Sequence, residues 1–326
     1  MRQQQSLFAD EISFEFGAVQ CSIPISSQLA PRCRLLKDKF ANSIATSLQQ
    51  FSSPIELCSS FIRFILDYAH DELSSTSVDV AILREILSFV QTSLLRNENI
   101  NTVLTSTNGD PAVDRSILRT YFQACALTNH RCTMGTSELL ASAQRGEAKL
   151  FALFNGQGVE SYFEELVETY SIYEEHLIPL VHLMSERLVR LAADDQFKDI
   201  FLHGLDVQAW LSTPETCPPI DYLTTAAVSL PLIAVSQMVQ YAVACINLGV
   251  TPGEMRQFLS GASGHSQGVV VAAFIAAAAS WDGFYTAARQ VIEVLFWIGA
   301  RCQRTIGTTS PTSGLESSPP SYMLSI

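Results

Sequence analysis

Between Tyr222 and Gly253 the chain carries no charged residue. A run this apolar either crosses a bilayer or is enclosed by other parts of the chain, and a spanning helix needs about 20 predominantly apolar residues. Here Pro231, Ser236, Gln237, Gln240 and Asn247 interrupt the run, and Gly249-Val250-Thr251-Pro252-Gly253 closes it with turn chemistry. It is therefore expected as a helix buried on most sides inside a soluble domain, with no membrane partner. Enclosing such a helix takes a sizeable core. The 326 residues, 48% hydrophobic and 16% charged, can supply one, which excludes a disordered or fibrous chain and allows about two domains. A net charge of −12 sets aside broad nucleic-acid binding, which uses basic surface.

The N-terminus turns acidic at Asp10 and Glu11 before any apolar run forms, which is unlike a secretory signal. The eight cysteines (21, 33, 58, 125, 132, 217, 245 and 302) contain no C-x-x-C pair, so neither a zinc ribbon nor a thioredoxin-type motif is supported. Without an export signal they read as reduced thiols of a cytoplasmic protein. His176 and His182, six apart, do not align on one helical face, and no metal site is expected. Gly-rich phosphate loops are absent.

Residues 1–145 read as a helical packing domain. Ser53-Pro54-Ile55-Glu56 opens one helix with a capping box, Thr76 to Asp79 opens a second carrying Ile82, Leu83, Ile86, Leu87 and Val90, and Asp110-Pro111 opens a third. The texture changes near residue 146. Ala148–Phe154 is a short apolar run bounded by Gly146 and Asn155-Gly156, and reads as a buried strand. An acidic amphipathic helix follows from Tyr162 to about Ala193. Gln257–Ala262 is a second short strand, and Val269–Ala278 a helix. Strands separated by long helices imply parallel pairing. From Thr305 to Ser321 the chain is mostly Ser, Thr, Pro and Gly, a linker, before the strand-like Tyr322–Ile326.

Gly264-x-Ser266-x-Gly268 falls between the second strand and a helix of small residues, the setting of a nucleophile elbow. The glycines permit a tight turn, so that the Ser266 hydroxyl projects at the strand's carboxyl end. The amide of Gln267 then lies at a helix N-terminus, where it can stabilise an oxyanion. Asn155-Gly156-Gln157-Gly158 also joins a strand to a helix, and the Gln157 backbone N–H is the candidate second oxyanion donor. Either turn alone is also compatible with an ordinary strand-to-helix connection.

Several segments resemble the acetyltransferase domain of the fungal fatty acid synthase beta subunit. They are NGQG with YFEEL at 155–166, LPLIAVSQ at 230–237, LGVTPGEMR at 248–256, SGASGHSQG at 260–268 and VLFWIGARC at 294–302. The first 150 residues resemble the leader of the same subunit less specifically. The resemblance implies an α/β fold: an N-terminal helical domain (1–145), an incomplete, α/β-hydrolase-like parallel-sheet acyltransferase large subdomain (146–304), and a linker with the start of a truncated small subdomain (305–326). It implies an acyl-CoA:acyl-carrier-protein transacylase that loads acetyl or a short starter through a Ser266 acyl-enzyme. Gln157 and Gln267 would hold the oxyanion, and Gly264, His265 and Gly268 would shape the elbow. No resident cofactor is implied, since acetyl-CoA or another acyl-CoA is substrate. The implied partners are the phosphopantetheine thiol of an acyl carrier protein and either the synthase alpha subunit or the remaining beta-subunit domains. Primary and secondary metabolism both remain open.

One element departs from the family. A serine needs a general base, and in relatives the histidine comes well downstream of it. The six histidines here are at 70, 130, 176, 182, 203 and 265, so none follows Ser266. Neighbouring side chains diverge at an elbow, so His265 is expected to shape the turn. A catalytically incomplete fragment with an assembly role is therefore the alternative function. A lipase-type serine hydrolase ranks last, for want of a downstream histidine. Ile298 stands where malonyl-selective relatives carry an arginine. It either favours uncharged acyl groups or is a core residue on the stripe Phe284, Ala288, Val291, Leu295, Ile298, Cys302, and Arg301 lies close by in sequence.

Overall fold

The computed structural model describes residues 9–47, 50–71, 77–107, 109–132, 137–158 and 161–306. It opens with an antiparallel hairpin, β1 (Ala9–Phe16) and β2 (Val19–Ser26), turned at Gly17, whose φ is +62°. This corrects the all-helical expectation for the first 145 residues. Ile12 and Phe14 on β1 and Cys21, Ile23 and Ile25 on β2 are buried at the two-residue period of a one-sided strand. They close on α1 (Ala30–Ser47) and α2 (Pro54–Asp71), where the Phe14 and Phe61 rings lie 4.9 Å apart and Phe40 and Phe61 5.3 Å. Ser53 Oγ accepts from the Glu56 amide at 3.2 Å, and the Glu56 carboxylate reaches the Ser52 amide at 2.7 Å. The Ser53 half of the expected cap therefore forms as read, and only the Glu56 return arm falls one residue earlier, on Ser52.

α3 (Ser77–Phe89) buries Ile82, Leu83, Ile86 and Leu87 as the sequence implies; Thr76 lies outside the described residues. α4 (Ile100–Thr107) and α5 (Pro111–Thr128) follow, and Asp110 Oδ1 caps α5 through the Ala112 amide at 2.8 Å. After α6 (Glu138–Gln144) comes β3 (Leu150–Phe154), then α7 (Tyr162–Ala192), which is broken at Tyr173 upstream of Pro179. The short α8 (Val207–Ser212) and α9 (Ile220–Leu223) lead to α10 (Ala226–Leu248), α11 (Pro252–Phe258), β4 (Leu259–Gly264), α12 (Gly268–Ala277) and α13 (Trp281–Ile306).

α10 is the charge-free run. By length and composition it could cross a membrane, yet 78% of its most apolar window is buried inside the fold, as expected. It ends at Gly249 (φ +63°), and Thr251 with Glu254 forms a capping box that starts α11. α13 lies so close along α10 that a Cβ on Gly299 would meet the Ala226 carbonyl oxygen at 2.6 Å. α7 packs on α10, α13 and α5, so one continuous hydrophobic core joins the N-terminal layer to the rest.

β3 and β4 pair in parallel, Leu150 with Leu259 through Phe154 with Gly264, with an irregularity after Leu150. The fold is thus mixed α/β and mostly helical, and this pair is the only parallel sheet among the described residues. Its outer face carries Phe151 (55% exposed) and Leu153 (73% exposed). α13 runs helically to Ile306, past the expected linker start at Thr305, and residues 307–326 lie outside the described ones.

Candidate active site

Ser266 follows β4 by two residues and has φ +52°, the left-handed region that a side-chain-bearing residue enters at a cost of about 1–3 kcal/mol. Three glycines build this turn. A Cβ on Gly264 would lie 2.1 Å from the Gly268 carbonyl carbon, and one on Gly268 would lie 2.1 Å from the Phe154 carbonyl oxygen. One on Gly156 would meet Ser266 Cβ at 2.7 Å and His265 Nδ1 at 3.2 Å. The two Gly-rich turns, more than a hundred residues apart in sequence, are therefore interlocked at backbone contact, with Gly156 seated on the serine. The His265 amide donates to the Phe154 carbonyl at 2.9 Å, and the Gly268 amide donates to the His265 carbonyl at 2.9 Å. These bonds turn the chain from the end of the sheet into α12.

Ser266 is exposed at the surface. Gln267, the next residue, is 5% exposed, and neither its side-chain nitrogen nor its oxygen has a partner. The backbone N–H groups of Gln157 and Gln267 donate to no protein group among the described residues. Two unused donors thus flank the serine in sequence and through the Gly156 contact. The Gln157 side chain is tied down: Nε2 donates to Ser229 Oγ on α10 at 2.5 Å. Eight residues along the same helix, Gln237 Nε2 donates to the Asn155 carbonyl at 2.6 Å. In the sequence Gln237 stood only as an interruption of an apolar run, and Ser229 was not singled out. The signal at Gln237 was an amide in a helix too apolar to keep one without a partner.

A cleft of ≈ 420 Å³ opens beside this loop, lined in part by Phe154, Asn155, Gly156, Ile233, Gln237 and Tyr241. Burial pushes the Tyr241 phenol up, so it stays neutral.

The histidines are distributed as follows. His265 is exposed, with its ring against Gly156, and makes no hydrogen bond to Ser266. His130 and His176 line a separate cavity of ≈ 550 Å³ with Cys125, Cys132 and Cys245, and burial lowers both imidazoles' proton affinity. His182 Nδ1 meets Gln208 Oε1 at 2.8 Å, and His203 packs edge-on to Tyr222. The His70 side chain lies outside the described residues. Among the described residues, no group of three or more His, Cys, Asp or Glu is placed to hold a metal ion.

Ile298 is 43% exposed on α13, and Cys302 is exposed too, whereas Phe284, Ala288, Val291 and Leu295 are buried. Among the described residues the apolar stripe leaves the core before it reaches Ile298. Arg301, two residues beyond the Gly299 contact with α10, is exposed as well.

Comparison with known proteins gives two family matches. Residues 153–326 match the starter unit:ACP transacylase in aflatoxin biosynthesis, and residues 11–128 match the N-terminal domain in fatty acid synthase subunit beta. The chain is 38% identical over 304 residues to the fatty acid synthase beta subunit aflB of Emericella nidulans, covering 90% of this chain and 14% of that protein. It is 36% identical over 262 residues to the fatty acid synthase subunit beta of Schizosaccharomyces pombe, covering 80% and 12%, and 42% identical over 201 residues to that of Saccharomyces cerevisiae, covering 58% and 10%. The chain therefore spans about one seventh or less of the length of these relatives.

Proposed function

Because the chain belongs to the starter unit:ACP transacylase family, carried on the N-terminal region of a fungal fatty acid synthase beta subunit, we propose that it transfers a short acyl group from acyl-CoA to an acyl carrier protein through an ester on Ser266. The observation that carries the reading is the left-handed Ser266 held against Gly156 at the junction of β3, β4 and α12. In this reading β3 and β4 are the central pair of an α/β-hydrolase-like large subdomain spanning residues 146–304, set after an N-terminal domain of residues 1–145.

Ser266 Oγ attacks the thioester carbonyl, and its proton passes to a general base. The carbonyl oxygen takes the negative charge and is met by the Gln157 and Gln267 amides. The C–S bond breaks, and CoA leaves as the thiolate and is protonated. The carrier's phosphopantetheine thiol then attacks the ester and regenerates the serine. The reading assigns the base to an imidazole brought by another part of the synthase, since His265 makes no bond to the serine. The same synthase, whether beta-subunit domains or alpha subunit, presents the carrier. The exposed, apolar Ile298 favours acetyl or a short uncharged chain over malonyl.

The test is covalent loading. Incubated with acetyl-CoA and imidazole as an exogenous base, the chain gains one acetyl group on the Ser266 peptide by mass spectrometry, and Ser266→Ala does not. Acetyl found on a cysteine, or unchanged labelling of Ser266→Ala, overturns the assignment.

A further inference from the structure

We propose that Gln237 is a positioning residue for the oxyanion loop: from the middle of α10 its buried amide fixes the Asn155 carbonyl, and with it the Gln157 N–H beside Ser266. The inference rests on the acyl-enzyme reading of Ser266.

The loop Asn155–Gly158 makes no backbone-to-backbone hydrogen bond among the described residues. Its conformation is therefore left to its side-chain ties and to close packing. Two ties hold it, and both come from α10. The Gln157 side chain reaches Ser229 Oγ, itself 4% exposed. Gln237, 8% exposed, donates to the Asn155 carbonyl at 2.6 Å. That carbonyl is confined from the other side, since a Cβ on Gly268 would lie only 2.9 Å from it. It is thus held between α10 and the first turn of α12, and the next residue, Gly156, is the one seated on Ser266 Cβ.

The residue type argues the same way. α10 is buried on most sides, and a hydrocarbon at 237 would satisfy its packing at no desolvation cost. The amide is kept although its Oε1 finds no partner. Only its donor half is used, and it is used on the loop. In a site where the transition-state oxygen must meet a donor already in place, a shift of about 1 Å costs on the order of 10² in rate. α10 is then the helix that holds the donor in register with the nucleophile.

Gln237→Met keeps length and volume and removes the donor. The readout is single-turnover acylation of Ser266 by acetyl-CoA with imidazole present. The expected result is a 10- to 100-fold lower rate at saturation with the half-saturating acetyl-CoA concentration unchanged, because the bond removed is the one to the Asn155 carbonyl. Gln237→Glu is the second variant and serves if Gln237→Met fails to fold. A protonated carboxyl can donate to the Asn155 carbonyl and a carboxylate cannot, so its rate relative to the parent chain rises as pH falls. Residue 237 in a merely structural role would move neither quantity. Parental rates in Gln237→Met, or in Gln237→Glu at every pH, overturn the proposal alone, provided Ser266→Ala abolishes the label. A parent chain that never acylates Ser266 overturns the proposal and the reading beneath it together.

Discussion

Replacing Gly268 by alanine puts a methyl group where the fold has no room for one. Its Cβ would stand 2.1 Å from the Phe154 carbonyl oxygen, 2.6 Å from the carbonyl carbon and 2.9 Å from the Asn155 oxygen. Ordinary contact begins near 3.4 Å, so α12 and the end of β3 must separate by about 1.3 Å. The Phe154 carbonyl cannot swing aside, because it accepts the His265 amide at 2.9 Å. Overpacking costs about 1–3 kcal/mol and a lost hydrogen bond about 1 kcal/mol more. A loss of about 2–4 kcal/mol follows, or about 1 M in urea midpoint for a slope near 3 kcal/mol/M. The same displacement moves Ser266 away from the Gln157 loop and should slow acetyl loading about 100-fold. Gly146→Ala is the control. Its φ is +73° with nothing within 4 Å, so only backbone strain of about 1–2 kcal/mol applies and loading per folded molecule is unchanged. A Gly268→Ala chain with the parental midpoint and loading rate would refute the interlocked-turn geometry.

Ile298→Arg should raise malonyl loading relative to acetyl, measured by mass spectrometry of the Ser266 peptide, through bidentate pairing with the free carboxylate. The partial exposure of this position accommodates the charge, so the unfolding midpoint should hold. Arg187 Nε donates to Glu293 Oε1 at 2.5 Å and holds the Glu293 carboxyl below its ordinary value of 4.5. A lowered folded-state value stabilises above the unfolded one and is lost as pH falls through the folded one. Glu293→Gln should therefore lower the urea midpoint at pH 7 by up to about 1 kcal/mol equivalent for this part-exposed pair, and the deficit should shrink below pH 4.5.

The two Gly-rich turns of the candidate site were more legible in the sequence than the architecture around them. The Gly-x-Ser-x-Gly and Asn-Gly-Gln-Gly turns are short local patterns, although only Gly264 is forced by a sequence-local contact, with Gly268 and Val269, while Gly156 and Gly268 are forced by contacts between the two turns. Helices with regular stripes, such as α3, α5 and α13, were readable because their signals are also local. The β1–β2 hairpin was not read. Its alternation Ile12, Phe14, Phe16 was there, but the charged Glu11 and Glu15 with Ser13 at the outward positions gave the segment an acidic look that masked it. β4 forms two residues later than expected, because Gln257 and Phe258 finish α11 once Thr251 and Glu254 cap it. The ties from Ser229 and Gln237 join segments more than seventy residues apart, and no local pattern encodes a partner at that distance.

The β3–β4 pairing sets a timetable for synthesis. Leu150 pairs with Leu259, so β3 leaves the ribosome about 110 residues ahead of its partner, roughly 5–20 s at usual elongation rates. During that interval α7 and then α10 emerge and can close on each other, while β3 waits with Phe151 and Leu153 facing water, as they still do in the finished fold. Long-range parallel pairing is slow to form for the same entropic reason. Ser266 acquires its left-handed turn only once β4 has zipped onto β3 and α12 has docked on Phe154, so the nascent chain carries its helical frame before it carries a nucleophile.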